Sequence, residues 1–377
     1  MGYPTVELRE EVMREGMQIE SVDITPRQKA DLLTELAKTG LASINVGSFV
    51  SPKYTPQMAN IEETLRLFTP IPGPTYTCLA FNQRGLDRAA EFEWLTTPGT
   101  THGLVIHLCD TFARRNMNRS QLDEKASWAS AIARAQSMGA TEATITIGAA
   151  WGSNFQGVFS TEQRMALLRM QYDAWAEAGI AVTTIGFADP MGWCSPAAVE
   201  ETLAAVRAEW PEVKRIHQHL HNTRGLALAS VYASIAALDE TYTISFDVTA
   251  GGIGGCPYCG NGRLTGMAAT EDVVNMLRMM GVDTGIDLEA LIEFVQHLDE
   301  VIGYRSPGHV SHAGPAPLDD GDFYDPNLPL VETADEAQHF RLGPSVAEHQ
   351  LRPWAEPIPP VSRLDIDVVA AAPSSTS

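Results

Sequence analysis

The sequence is short of positive charge and has no long apolar run. Lys and Arg number 26 against 47 Asp and Glu, a formal net charge of −21. Nucleic acids and anionic membranes are bound by basic surfaces, so this balance argues against both partners. No stretch of about 18 apolar residues is present, and the first residues lack the basic and then apolar pattern of a secretion signal. We therefore expect a cytoplasmic protein.

Cysteine is also scarce, and its spacing does not build a disulfide framework. An odd total of five indicates a reducing compartment. Cys256 and Cys259 form one Cys-x-x-Cys, but a zinc site of this type needs a second pair, and a thioredoxin-like redox site needs a strand–helix context that is missing. A reversible disulfide between them that inactivates the protein stays open. No Gly-x-Gly-x-x-Gly follows a strand, which argues against dinucleotide binding.

What the chain does have is a repeated alternation of strands and helices from Val6 to about Tyr304. Gly40, Gly139 and Gly179 are typical of helix ends, and Thr25-Pro26 and Ser195-Pro196 of helix starts. Eight strand–helix units over about 300 residues favour an α/β fold of the (β/α)8 TIM-barrel type over a doubly wound sheet. The eight predicted strands are Val6–Val12, Ala42–Val46, Thr75–Ala80, Leu104–Leu108, Ala143–Ile147, Val182–Phe187, Arg215–Leu220 and Tyr242–Val248.

The carboxyl ends of barrel strands carry the functional groups of such folds, and four of these ends carry titratable side chains here. They are Arg14 and Glu15 after the first strand, Asp189 after the sixth, His219 and His221 at the seventh, and Cys256 in a glycine-rich loop after the eighth. Two histidines one residue apart on a strand point to the same side, about 6–7 Å apart. A carboxylate with two imidazoles suits Mg²⁺, Mn²⁺ or Zn²⁺ with open positions.

These side chains predict chemistry at a carbon–carbon bond next to a carbonyl. Arg14 would supply fixed positive charge for an oxyanion, and Asp189 or Cys256 would move a proton. The plain structural alternatives are a surface ion pair for Arg14 and Glu15, and a core histidine for one member of the His-x-His pair.

Several segments between residues 5 and about 300 are similar to one family. They are Arg14–Gln18, Ser48–Met58, Asn82–Gly85, Asp110–Phe112, Asn116–Asn118, His219–Thr223, Gly254–Tyr258 and Ala269–Asp272. They resemble the 3-hydroxy-3-methylglutaryl-CoA lyase branch of the metal-dependent aldolase and Claisen barrels, a superfamily that includes isopropylmalate and homocitrate synthases. The resemblance implies a homodimer that acts on an acyl-CoA or hydroxy-acid substrate with Mg²⁺ or Mn²⁺, Zn²⁺ being the alternative.

The resemblance also implies a role for individual residues. The implied metal ligands are Glu15, His219 and His221; the implied catalytic residues are Arg14, Asp189 and Cys256; the implied substrate-binding residues are Gln18, Ser51, Asn82 and Asn222.

Four positions depart from the lyase pattern. Asn45 stands where the lyases carry an acid, and the segment 152–157 stands where they carry Cys-Pro-Tyr-Glu. Pro190 replaces a threonine, and Met267 replaces the asparagine that completes the metal shell. Since a thioether is a poor Mg²⁺ ligand, water or Asn261 would fill that position, or the shell is more open.

Three functions follow from these features. The leading one is a metal-dependent lyase that cleaves a 3-hydroxy-acid, as a CoA thioester, by a retro-aldol or retro-Claisen route. The second is a condensing synthase of citramalate or isopropylmalate type, which Glu15 and the loop 260–263 favour. The third is a barrel without catalysis that acts as a binding subunit, which Asn45 and Met267 motivate.

The last part of the chain, residues 305–377, is rich in proline and acid and follows the barrel domain at 1–304. We expect the end, Ala370–Ser377, to be disordered. Tail aromatics such as Trp354 suggest packing on the barrel or on a partner. His309 and His312 are candidates to reach the barrel mouth.

Overall fold

Eight parallel strands form a single curled sheet in the computed structural model, which describes residues 2–80, 83–96, 102–259 and 266–318 and two short strands at 329–330 and 356–357. The strands are β1 (Thr5–Glu10), β2 (Ser43–Ser48), β3 (Thr75–Leu79), β4 (Gly103–His107), β5 (Glu142–Gly148), β6 (Ala181–Asp189), β7 (Arg215–Leu220) and β8 (Thr243–Val248). All eight predicted strands are present, with ends moved by two residues or fewer.

The strand order is that of a (β/α)8 barrel, so the predicted fold class is confirmed. Hydrogen bonds join the strands in the order β3-β2-β1-β8-β7-β6-β5-β4. The first and last strands pair along their whole length, from Thr5 opposite Thr243 to Glu10 opposite Val248. β3 and β4 end this hydrogen-bonded order. All the carboxyl strand ends therefore lie at one mouth.

Helices follow the strands and cover the outside of the barrel. They are α1 (Pro26–Leu36), α2 (Ile61–Leu67), α3 (Gln83–Ala89), α4 (Asp110–Met117), α5 (Gln121–Ser137), α6 (Thr161–Glu177), α7 (Pro196–Glu209), α8 (Ala227–Ala236), α9 (Thr270–Met279), α10 (Leu288–Ile302) and α11 (Val310–Ala313). The predicted starts are confirmed at Thr25 and Ser195, whose hydroxyls accept from backbone amides three residues on. No described helix has the length and hydropathy needed to cross a bilayer.

Residues just beyond 304 lie with the barrel. Met1–Pro315 forms one compact unit and Ala316–Ser377 a second. His309 Nδ1 lies 2.9 Å from Asp272 Oδ2 on α9, and His312 Nε2 lies 3.1 Å from the carbonyl of Ser306. Neither histidine lines the central cavity described below.

The second unit is described at its first three residues, 316–318, and at two short strands. Pro329–Leu330 pairs antiparallel with Glu356–Pro357. The predictions for Ala370–Ser377 and for the tail aromatics, Trp354 included, lie outside the described residues.

Candidate active site

Two loops that follow neighbouring strands pack tightly and bring the first-strand motif against the glycine-rich loop. After β1, the amide of Gly16 donates to the carbonyl of Glu11 over 3.3 Å, which makes Val12–Gly16 a π-helical turn. A side chain at Gly16 would lie 2.9 Å from Ile253 in the loop after β8. Gly254 has a φ of +115°, and a Cβ placed on it would lie 3.1 Å from the backbone carbonyl oxygen of Glu15. Only glycines allow this approach.

The three predicted metal ligands converge. Nε2 of His219 lies 3.0 Å from Nε2 of His221, and Oε1 of Glu15 lies 3.7 Å from Nε2 of His221. The two imidazoles are closer than the 6–7 Å expected for a flat strand. The cause is that β7 ends at Leu220, so His221 lies beyond it, in an isolated bridge to Met267.

Neighbouring charges fix the state of each donor. Burial and the nearby His219 lower the pKa of His221 to about 3, so its imidazole is neutral. Burial would lower the pKa of His219, but its hydrogen bond to Asp247, 2.9 Å from Nδ1, raises that pKa instead. Burial would raise the pKa of Glu15, but Arg14 and His221 lower it, so this carboxyl is ionised.

This donor set fits a divalent cation, although it is not a finished coordination shell. If one ion binds two nitrogens at right angles, each about 2.1 Å away, those nitrogens are about 3.0 Å apart. The Nε2 atoms of His219 and His221 have this separation. In the described chain, no group of three or more His, Cys, Asp or Glu side chains already has metal-binding geometry. Oε2 of Glu15 is held by the Arg14 guanidinium and by Gln18 Nε2 at 2.9 Å.

Cys256 lies in the same cavity. Its side chain is buried, and burial raises the pKa of the thiol to about 12, so it keeps its proton at neutral pH. The thiol of Cys259 donates to the carbonyl of Cys256 over 2.7 Å, and the two cysteines are not joined by a disulfide.

Asp189 ends β6 and is fully buried. Its two carboxylate oxygens accept from the amides of Trp193 at 2.9 Å and Cys194 at 2.6 Å. Burial raises the pKa of Asp189 to about 6. The residues on either side of it, Ala188 and Pro190, line the cavity.

The cavity at the mouth has a volume of about 290 Å³, and we call it the inner cavity. Its wall includes Arg14, Glu15, Gln18, His107, His219, His221 and Cys256. A larger space of about 920 Å³, the outer cavity, shares Gln18 and several other wall residues with it and is also lined by Ser51, Arg114 and Arg115. The two spaces are therefore continuous.

The remaining predicted residues lie elsewhere or outside the described part. The side chain of Asn222 accepts from the amide of Ala227, at the start of α8, over 3.0 Å. Met267 is fully buried. Asn82 and Asn261 lie outside the described residues.

Three acidic residues beside the site had escaped the sequence reasoning. Glu11, the residue after β1, accepts from Arg14 Nε at 2.6 Å and from Asn45 Nδ2 at 3.1 Å, so a carboxyl group lies beside the asparagine that departs from the lyase pattern. Asp247 orients His219. Glu124 binds His107 on β4. The doubled acid Glu10-Glu11 was the only signal in the sequence for any of them.

Comparison with known proteins agrees with this architecture. The HMGL-like family model matches residues 5–298. A hydroxymethylglutaryl-CoA lyase of Bacillus subtilis is 33% identical over 309 residues, which is 81% of this chain and 97% of that protein. An (R)-citramalyl-CoA lyase of Chloroflexus aurantiacus is 32% identical over 313 residues, 80% of this chain and 92% of that one.

Solved structures are similar as well. A crystal structure of the B. subtilis HMG-CoA lyase superposes with a TM-score of 0.69 at 30% identity and covers 83% of this chain and 99% of its own. An HMG-CoA lyase of Acinetobacter baumannii, in complex with coenzyme A and 3-methylmalate, has a TM-score of 0.66 at 29% identity, covering 86% of this chain and 97% of that one. The chain, with its eight-stranded barrel and its family match over most of its length, belongs to the HMGL-like family.

Proposed function

We propose that the protein cleaves a 3-hydroxyacyl-CoA thioester of the 3-hydroxy-3-methylglutaryl type into a keto acid and a shorter acyl-CoA. The observation that carries this proposal is the shared wall of the inner cavity. It brings together the donors Glu15, His219 and His221, the cation Arg14 and the protonated thiol of Cys256. Lyases named for such thioesters are among the relatives of this chain.

We assign the two histidines and Glu15 to a divalent cation, Mg²⁺ or Mn²⁺ by the chemistry of the carboxylate and Zn²⁺ as the alternative. When bound, such an ion polarises the substrate oxygens and lowers the cost of ionising the hydroxyl. Asp247 holds the ring of His219 from behind, as second partners of metal-binding histidines do. Met267 supplies no oxygen, so we expect water or Asn261 to complete the shell.

The cleavage balances without an oxidant or reductant. The C3 hydroxyl loses its proton, the bond between C2 and C3 breaks, and C3 becomes the carbonyl carbon of the keto acid. The electron pair moves to the thioester half as an enolate, whose oxygen would be stabilised by the Arg14 guanidinium on the cavity wall. Cys256 then gives its proton to C2, and the shorter thioester is complete.

Protonation states divide the proton-transfer work between Cys256 and Asp189. A thiol with a pKa of about 12 is a donor and not a base at neutral pH. Asp189, with a pKa of about 6, is mostly ionised there, so by its charge it is the candidate acceptor of the hydroxyl proton. Its side chain is fully buried and is not part of the cavity wall, which its neighbours Ala188 and Pro190 line, so the proton would have to reach it from the cavity.

We place the CoA portion in the outer cavity, with Ser51 on its wall. In a chain of net charge −21, two arginines side by side on that wall form a local basic site. Arg114 is paired with Asp110 at 2.6 Å, while the Arg115 guanidinium lies over the ring of Phe155 at 5.5 Å. Arg115 is thus the one placed to meet a phosphate.

The test is product analysis with purified protein and Mg²⁺ or Mn²⁺. We expect 3-hydroxy-3-methylglutaryl-CoA or citramalyl-CoA to yield a keto acid and acetyl-CoA in equal amounts. Arg14→Gln should reduce kcat about 10²–10³-fold because it removes the enolate partner. Arg27→Gln, a matched control, removes an exposed arginine paired with Asp31 and should leave kcat unchanged.

Other outcomes identify the other functions. Release of free CoA thiol from acetyl-CoA and a keto acid, with no cleavage, would establish the condensing synthase. No turnover together with no bound metal would establish a binding subunit, and melting unaffected by a chelator would agree with it.

We also propose that the protein is a cytoplasmic homodimer. The cysteines in the described part of the chain form no disulfide with one another, which agrees with a reducing compartment. Light scattering after size exclusion measures the mass directly, and a value near the 40.9 kDa of one chain would overturn the dimer.

A further inference from the structure

A second pair of histidine and carboxylate borders the inner cavity, apart from the proposed metal site. His107 is the last residue of β4, and its Nδ1 lies 2.6 Å from Oε1 of Glu124 on α5. The other oxygen of Glu124 accepts from the backbone amide of His107 at 3.0 Å. Both residues are buried, and the mechanism proposed above uses neither.

The contacts fix the His107 ring and leave one nitrogen unused. An ionised carboxylate only accepts hydrogen bonds, so Nδ1 carries a hydrogen. The ring lies over Gly148, where a Cβ would be 2.1 Å from Cδ2, and its centroid is 5.4 Å from that of Phe112. No described residue makes a hydrogen bond with Nε2, although His107 lines the cavity.

The strand register places only small residues between this pair and the metal site. His107 lies opposite Gly148 on β5, and Ala188 on β6 lies opposite His219 on β7. Ile147 pairs with Phe187, so Gly148 and Ala188 are at the same level of the sheet. Three strand spacings separate the two histidines by roughly 14 Å along the curved sheet. Only a glycine and an alanine stand between them at this level.

We infer that His107, oriented by Glu124, determines substrate specificity by hydrogen bonding an oxygen on the C3 substituent of the thioester. This inference rests on the proposed lyase function. A neutral imidazole accepts from a hydroxyl through Nε2, and a protonated one donates to a carboxylate. The favoured substrate is thus a 3-hydroxyacyl-CoA whose C3 substituent carries a hydroxyl or carboxylate in place of a plain methyl group, since an unpaired buried polar group penalises the methyl.

The test compares three CoA esters that differ only at C3, bearing methyl, hydroxymethyl or carboxymethyl. We expect wild-type kcat/KM to favour one of the oxygenated esters over the methyl ester by roughly 10- to 100-fold, the size of one such hydrogen bond. His107→Phe should remove that preference. The double variant His107→Phe, Glu124→Gln should also remove the preference, and it does not leave the buried carboxylate of Glu124 without its partner.

A matched control is His297→Phe. His297 also binds a glutamate through Nδ1, at 2.9 Å from Glu35, but outside the cavity, and its loss should leave the preference unchanged. A wild-type preference for the methyl ester, or one that survives loss of His107, overturns the inference. Calorimetric binding of the same esters measures the preference without turnover, so selective binding without cleavage would remove the lyase function and leave this inference standing.

Discussion

The buried carboxyl of Glu271 should make the protein less stable as the pH rises. Glu271 is in the first turn of α9 and is fully buried; its Oε2 accepts from the amide of Gly251 at 3.0 Å, and its Oε1 has no partner among the described residues. Gly308 closes the site, because a Cβ there would lie 2.0 Å from that oxygen. Burial raises the pKa of Glu271 to about 8, and the neighbouring Asp272 adds to the rise.

The direction follows from proton binding. The folded chain holds this proton up to about pH 8, whereas the unfolded chain releases it near 4.5. The contribution to stability is therefore complete below about pH 4.5, falls as the pH rises, and is lost above about pH 8. A pKa shift of this size corresponds to at most about 5 kcal/mol, and relaxation around the charge should leave roughly 2–3 kcal/mol. Burial also raises the pKa of Glu10, to about 7, so ionisation of Glu10 lowers the free energy of unfolding further as the pH rises.

Glu271→Gln isolates the contribution, because an amide of the same shape does not ionise. We expect the free energy of unfolding of the variant to be close to that of wild type at pH 5 and roughly 2–3 kcal/mol above it at pH 9. Urea denaturation at the two pH values measures this, with Glu293→Gln on the exposed face of α10 as the matched control. If wild type and variant lost stability in parallel, the buried carboxyl would not be the cause.

Four further predictions concern the mouth of the barrel. Cys256→Ala should fold normally and lower kcat about 10²–10⁴-fold, the usual contribution of a proton donor; wild-type turnover would contradict its role. A chelator should abolish cleavage and lower Tm, with Mg²⁺ or Mn²⁺ restoring both; activity that survives exhaustive chelation would contradict the metal. Gly148→Ala should cost about 1–3 kcal/mol in urea denaturation, since the new methyl meets the ring of His107; no loss would mean that the ring moves freely. Glu11→Gln should lower kcat/KM about tenfold by loosening Arg14, and a variant with full activity would show that Glu15 alone positions the guanidinium.

The fold could be predicted from the sequence because its signals are local. Most of the strands are short runs that contain β-branched residues, and four of the helices begin at a capping hydroxyl: Thr25, Ser120, Ser160 and Ser195. Eight such units in one chain leave few topologies. The strand ends differ from the predicted ones by up to two residues because tertiary pairing sets them. β1, for example, ends at Glu10, and a π-helical turn begins at Val12.

The site was predictable only where its residues follow a strand. Arg14, Glu15 and the two histidines could be assigned to the mouth because they lie at or just after the carboxyl end of a strand. Their partners could not, because the pairing is made across the sheet. Asp247 meets His219 from the neighbouring strand, and no spacing in the sequence relates residues 28 apart to one hydrogen bond.

The same distinction explains why a departure from the family pattern need not mean lost chemistry. Asn45 stands on β2 where the lyases carry an acid. From the sequence alone, the negative charge of that acid could have been lost from the site. In the folded chain its amide donates to both oxygens of Glu11, at 3.2 and 3.1 Å, and that carboxylate in turn binds Arg14. A carboxyl group thus remains beside the guanidinium and comes from the residue that follows β1; burial raises its pKa, and the charge of Arg14 acts against that rise. The arginine stays held between Glu11 and Glu15, which fixes its position for an enolate oxygen before any substrate arrives.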